Sequence, residues 1–216
     1  MLRRQPRLEP VLLNTLAADA RDANLALRLW SGHGGDEARP WQQRLLNSLV
    51  QAGRYAEAEA AWRKFGGATK NEGQDLADFS SMALPPFGWS LVSGPAGVAE
   101  PDVGGRLRIL YYGRDNLALA SRLLLLRPGR YRLSMRVSNA SSGADSLAWV
   151  VRCLPSSNQL ASVGLGANKG VLAGSWEVPP TGCEAQWLEL IGTSPDFPQQ
   201  TEATISEFRL SPGGGS

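Results

Sequence analysis

The hydrophobic period of this chain changes once, near residue 80, and that change constrains the fold more than any other feature. Up to about residue 70, apolar side chains recur every three or four positions, the spacing of one face of an α-helix. From about residue 85 they alternate, the spacing of a strand with one buried face. Helical runs followed by strand runs imply an α+β multidomain protein rather than an interleaved α/β sheet. The chain has 216 residues, 43% hydrophobic and 19% charged, which is enough for two modest cores. The predicted organisation is a helical segment over 1–70, a linker or crossing strand over 71–84, an antiparallel β-sandwich over 85–212 and a flexible tail over 213–216.

In the helical part, "RPWQQRLLNSLVQAGRYAEAEAAWRKFGG" is the clearest stretch. Trp41, Leu45, Leu49 and Ala52 form one stripe, with Leu46 and Val50 beside it. Gly53 breaks the helix. A second helix starts at Tyr55, with a stripe of Tyr55, Ala58, Ala61, Trp62 and Phe65, and Gly66-Gly67 ends it. The segment "LLNSLVQAGRYAEAEAAWRKF" resembles the tetratricopeptide repeat. Gly53 and Tyr55 match its inter-helix turn, and Ala58 and Trp62 its packing positions, where small residues let two helices approach closely. The first helix departs from the pattern in lacking the usual Trp and Gly. "LAADARDANLALRLWSGHGG" reads as the second helix of a preceding unit, so the chain is expected to open in mid-repeat. The resemblance implies tetratricopeptide-like α-helical hairpins that contact a protein partner and carry no chemistry.

Eight strands are predicted beyond residue 85: 86–92, 106–113, 117–126, 129–139, 147–154, 174–179, 185–192 and 203–210. Short strands and turn-rich connections suggest a sandwich or jelly roll. Leu126, Pro128, Gly129, Tyr131, Leu133 and Val137 make a strand-turn-strand pattern similar to that of jelly-roll carbohydrate-binding modules and their galactose-binding-like relatives. An early "F-x-W", Phe87 and Trp89, and a closing "I-x-x-F-x-L", Ile205, Phe208 and Leu210, belong to the same likeness. It covers about 85–210 and implies a jelly-roll fold.

The residues give catalysis little to work with. The single histidine, His33, sits in the glycine-rich "SGHGGDE" and reads as a loop residue, so no Ser-His-Asp, Cys-His or metal set forms around it. "GGATK" and "GLGANKG" lack the spacing of a phosphate-binding loop. Glu177, Glu189, Asp196 and Glu207 are carboxylates of the type a glycosidase needs, but nothing in their spacing selects a pair. No catalytic residue, metal or cofactor is predicted. Cys153 and Cys183 fall at strand ends, where they either bridge or remain buried thiols.

Alternation also names candidate surface residues. Tyr131, Leu133, Met135 and Val137 belong to a core, which turns Arg132 and Arg136 outward. The same reading turns out Arg108 and Tyr112, Arg152, and Trp187 and Glu189. Residues 105–140 hold eight arginines and one acid, Asp115. If the strands are neighbours, one sheet face displays Arg108, Tyr112, Arg132, Arg136, Arg152, Trp187 and Glu189. A Trp plate with Arg forks suits an acidic polysaccharide. A solvated sheet with Arg stems over it, or an interface with the helices or a partner, are the other readings of that face. A net charge of +2 gives no global field for nucleic acid. No run reaches the roughly 18 apolar residues of a membrane span, and Pro6, Glu9, Pro10 and Asn14 break the first apolar run, so it is not read as a signal peptide. The expected location is the periplasm or cell envelope if the chain is part of a longer one, and the cytoplasm if it is complete.

Overall fold

The computed structural model describes residues 9–30, 32, 35–67, 76–166 and 170–213. Two compact units emerge. One holds the helices together with Ala83–Gly88, and the other holds residues 76–82 and everything from Trp89 onward. His33, most of "GGATK" and the centre of "GLGANKG" lie outside the described residues, as does the end of the tail.

The helical unit contains α1 (Glu9–Leu16), a short 3-10 turn (Ala20–Asp22), α2 (Ala23–Leu29), α3 (Gly35–Gln51) and α4 (Tyr55–Lys64). The predicted stripes are the buried ones. Trp41, Leu45, Leu46 and Leu49 of α3 and Tyr55, Ala58, Ala61 and Trp62 of α4 are all at most 6% exposed. Ala52 and Phe65 are exceptions: α3 stops one residue before Ala52 and leaves it exposed in the turn, and Phe65, just past the end of α4, is half-buried. Gly53 makes that turn at φ 72°, a conformation that favours glycine. Trp30, Trp41 and Phe65 meet edge to face, with centroids 5.3–5.9 Å apart. Among the described residues no helix is long and apolar enough to cross a membrane.

The second unit is an antiparallel β-sandwich of two sheets with jelly-roll winding. One sheet has five strands, in the order β1 (Ser90–Leu91), β5 (Leu117–Leu124), β10 (Cys183–Gly192), β7 (Leu147–Pro155), β8 (Gln159–Gly164). The other has six, in the order β2 (Ser93–Gly94), β3 (Gly97–Asp102), β4 (Arg106–Tyr111), β11 (Thr201–Pro212), β6 (Gly129–Ser138), β9 (Gly170–Val178). From β4 onward every connection but β7–β8 passes from one sheet to the other. Trp149, Tyr111, Phe208, Leu107, Ile109 and Leu119 are fully buried between the sheets.

Three strands escaped the periodicity: β2, β3 and β8. β3 is "GVAEPD", with a proline and two acids, and β8 is a half-exposed edge. The strand predicted over 86–92 shrinks to Ser90–Leu91 because its residues divide. Phe87 packs on Trp62 in the helical unit, 5.5 Å between centroids, while Trp89 enters the sandwich core. Of the predicted linker, the described residues 76–84 include two that belong to the sandwich. Leu76 and Phe79 are buried in the sandwich core. The Leu76 N–H donates to the Phe208 carbonyl (2.8 Å), and the Trp89 Nε1–H donates to the Leu76 carbonyl (3.0 Å). The irregular register of β11 at Ser206–Arg209, where Glu207 takes φ 51°, lies beside that Phe208 carbonyl.

Candidate ligand-binding faces

The candidate residues do not share a face. Arg108 on β4 and Arg132 and Arg136 on β6 stand on the outer face of the six-stranded sheet. Arg152 on β7 and Trp187 and Glu189 on β10 stand on the outer face of the five-stranded sheet. These faces point away from each other across a core about 10 Å thick. Tyr112 follows the end of β4, half-buried, with its N–H on the Ala96 carbonyl (3.1 Å). The single seven-residue face is therefore corrected to two faces and a loop residue. The physical reason is the winding, which sends β6 and β10 to different sheets.

On the six-stranded face the arginines are answered by carboxylates. Arg106 pairs with Asp102 (2.8 Å), Arg108 with Glu100 (3.1 Å), Arg136 with Glu207 (2.9 Å) and Arg130 with Glu177 (4.0 Å). The Arg106, Arg108 and Arg130 pairs are directly opposite across neighbouring strands, at Asp102, Glu100 and Glu177. The hydrogen bond from Arg136, and then its charge, hold the Glu207 carboxyl below its ordinary range, and Glu207 in turn raises the Arg136 guanidinium. Arg132 lies opposite Ser175 and Ser211 and meets no carboxylate among the described residues. Residues 105–140 look strongly basic only along the chain. Their acids arrive from Glu100, Asp102, Glu177 and Glu207, and from Asp78, which pairs with the nearly buried Arg122 (2.8 Å). Sequence reasoning missed all five as partners. The available signal was the two-residue spacing of Glu100 and Asp102, which Pro101 disguised as a loop.

The five-stranded face is different in kind. Trp187 is half-buried and lies directly opposite Leu123 on one side and Arg152 on the other. One row along, Glu189 lies opposite Ser121 and Val150. Arg152 Nη1 donates to Glu189 Oε2 at 2.6 Å. Leu123 and Val150 stand outside the core cluster between the sheets, yet are only 2% and 5% exposed. Trp187 stays partly exposed there, and the side chains of Arg152 and Glu189 are 37% and 20% exposed.

Cys153 of β7 and Cys183 of β10 are joined by a disulfide, Cα to Cα 4.9 Å. Beside it, buried Gln186 accepts from the Leu126 N–H (2.9 Å) and donates to the Cys183 carbonyl (3.2 Å), so its amide is satisfied in the interior. Of the four carboxylates weighed for glycoside chemistry, Glu177 and Glu207 hold arginines on one face and Glu189 holds one on the other. Asp196 is exposed in the loop after β10. Among the described residues no three His, Cys, Asp or Glu side chains group as metal ligands.

No protein-family model and no curated protein matches the sequence. Among solved structures the chain is similar to a CBM4 structure, at 13% identity and TM-score 0.47 over 62% of this chain and 92% of that one. It is also similar to the CBM22-1 xylan-binding domain of Paenibacillus barcinonensis Xyn10C (14%, TM-score 0.43, 68% and 100%). A third is the N-terminal cellulose-binding domain of Cellulomonas fimi β-1,4-glucanase C (15%, TM-score 0.40, 69% and 100%). At these values none of them assigns a ligand to this chain.

Proposed function

We propose that this chain is a non-enzymatic binding protein of the bacterial cell envelope. Its sandwich recognises a glycan, and its tetratricopeptide-like helices contact a protein partner. The observation that carries the glycan reading is the Trp187–Arg152–Glu189 group on the five-stranded face. The indole offers a flat apolar plate to the C–H face of a sugar ring. Arg152, fixed at one nitrogen by Glu189, presents its other donors to hydroxyl groups, and Glu189 supplies acceptors. The expectation of an acidic polysaccharide leaned on Arg108, Arg132 and Arg136, which face the other way. A neutral ion pair beside a Trp fits hydroxyl recognition better than recognition of a net negative charge. The disulfide is consistent with an oxidising compartment.

A glycan-array screen of the intact chain tests this, followed by Trp187→Ala. The expected result is binding that falls at least about tenfold in the variant, at an unchanged unfolding midpoint, with little dependence on salt. A blank array across neutral and acidic glycans refutes it.

The low exposure of Leu123 and Val150 favours a second reading. There the five-stranded face is a packing surface, and the chain is a structural scaffold whose sandwich meets a protein. In that case Trp187→Ala lowers the unfolding midpoint and no glycan binds.

A further inference from the structure

We infer that β9 is a self-docking edge, at which a second copy of this chain adds antiparallel about a two-fold axis at Gly174. The sandwich has four sheet edges. β1 and β2 are two residues long, and β8 is six long with a register shift against β7. β9 is nine residues long and holds an unbroken register with β6, from Gly129 opposite Val178 to Val137 opposite Gly170. Among the described residues its backbone bonds to β6 alone. Proteins blunt such an edge with Lys, Pro, a bulge or a cover. "GVLAGSWEV" has no Lys, no Arg and no Pro, its pairing has no bulge, and Glu177 is its sole charge. Val171 is 64% exposed on it.

The occupant follows from the sequence of the edge. A two-fold axis at Gly174 is the one that overlaps all nine residues. It sets Ala173 against Ser175 of the second copy, Leu172 against Trp176, and Val171 against Glu177. Every such pair lies on the same face of the joined sheet, because both members have the same parity. The centre is small, so the strands approach without crowding. Leu172 and Trp176 fall opposite each other on the inward side, where Trp176 is only 6% exposed and packed in its own core, so this pair sets no polar group against an apolar one but adds little new burial. The two Glu177 residues never face each other, and each already has Arg130 of its own chain 4.0 Å away. The arrangement is isologous and closes on itself. The far edge of the six-stranded sheet is the two-residue β2, too short to continue the pairing, so growth stops at a dimer.

Sedimentation velocity of the intact chain across the micromolar range tests this. The mass is expected to rise from 23.2 kDa toward twice that value. Ala173→Lys/Ser175→Lys, at two exposed positions, sets like charges against each other across the axis and is expected to abolish the dimer. Ala173→Glu/Ser175→Lys sets opposite charges there and is expected to keep it. A mass that stays monomeric overturns the inference, as does a dimer that survives the double lysine change. Equal loss in both variants overturns the register. Hydrogen exchange on the unaltered chain needs no variant: β9 amides are expected to gain protection with concentration, and unchanged exchange refutes the edge.

Discussion

The two outer faces of the sandwich use the same residue type in opposite ways. On the six-stranded face, four arginines stand in solvent, each with a carboxylate on a neighbouring strand. That face is an ion-pair surface, and exposed pairs of this kind contribute little to stability. On the five-stranded side the arginines are fewer and more shielded. Arg122 lies inward, its guanidinium 5.7 Å from the centre of the Trp89 ring and bonded to Asp78, and Arg152 lies beside Trp187 with Glu189. The difference teaches that an arginine count does not define a binding face. What matters is how far each charge is withdrawn from water and whether its partner leaves donors free.

The largest test of this contrast concerns the staple that only the five-stranded sheet carries. Cys153→Ala/Cys183→Ala opens a loop of 30 residues and is expected to cost about 3.5 kcal/mol in a denaturant titration. A reductant should do the same to the unaltered protein and nothing further to the variant. A small effect in both would put the stability of that sheet in its packing alone.

Next, Asp78→Ala leaves Arg122 without its partner at 9% exposure and is expected to cost about 2 kcal/mol. Glu207→Ala, on the open face, is expected to leave the unfolding midpoint in place. Equal losses would erase the distinction between the two sides. A third pair of variants separates them by binding. Arg152→Ala should weaken glycan binding about tenfold, and Arg132→Ala should not change it. The reverse outcome would move the site to the six-stranded face.

The smallest effect is one of titration. Glu207 is depressed from its ordinary 4.5 chiefly by the hydrogen bond from Arg136. What the pair adds to stability is fully present above 4.5 and fades as pH falls through the depressed value. Arg136→Ala should return the Glu207 carboxyl to its ordinary range in an NMR titration. Asp19, which Arg21 holds at about 2 in the helical unit, should stay where it is.

Much of the local structure was legible. The stripes of α3 and α4, Ala52 and Phe65 apart, and the inward sides of β4, β6, β7 and β10 follow the apolar period. Burial acts on every side chain, and the period shows which ones it selects. Segments whose structure depends on a partner were not legible. Leu76 and Phe79 look like part of a polar connection, and only the sandwich core they enter explains them. Phe87 and Trp89 read as one strand although they belong to different units, because the motif shows spacing and not destination. β3 was hidden by Pro101, which a strand accommodates where its missing N–H is not needed for pairing.

The sequence by itself determined where helices give way to strands, the in-or-out sense of the residues of β4, β6, β7 and β10, and the lack of a recognisable chemical motif around His33. These are local properties, set by side-chain period and backbone stereochemistry. Only the tertiary structure decided which outward residues are neighbours. Strand alternation says that Arg132 and Trp187 both turn away from a core, but it does not say on which side of that core. The pairing of β6 with β11 and of β10 with β5 and β7 places them on opposite sides. That pairing is a long-range choice, and no stretch of nearby residues contains it.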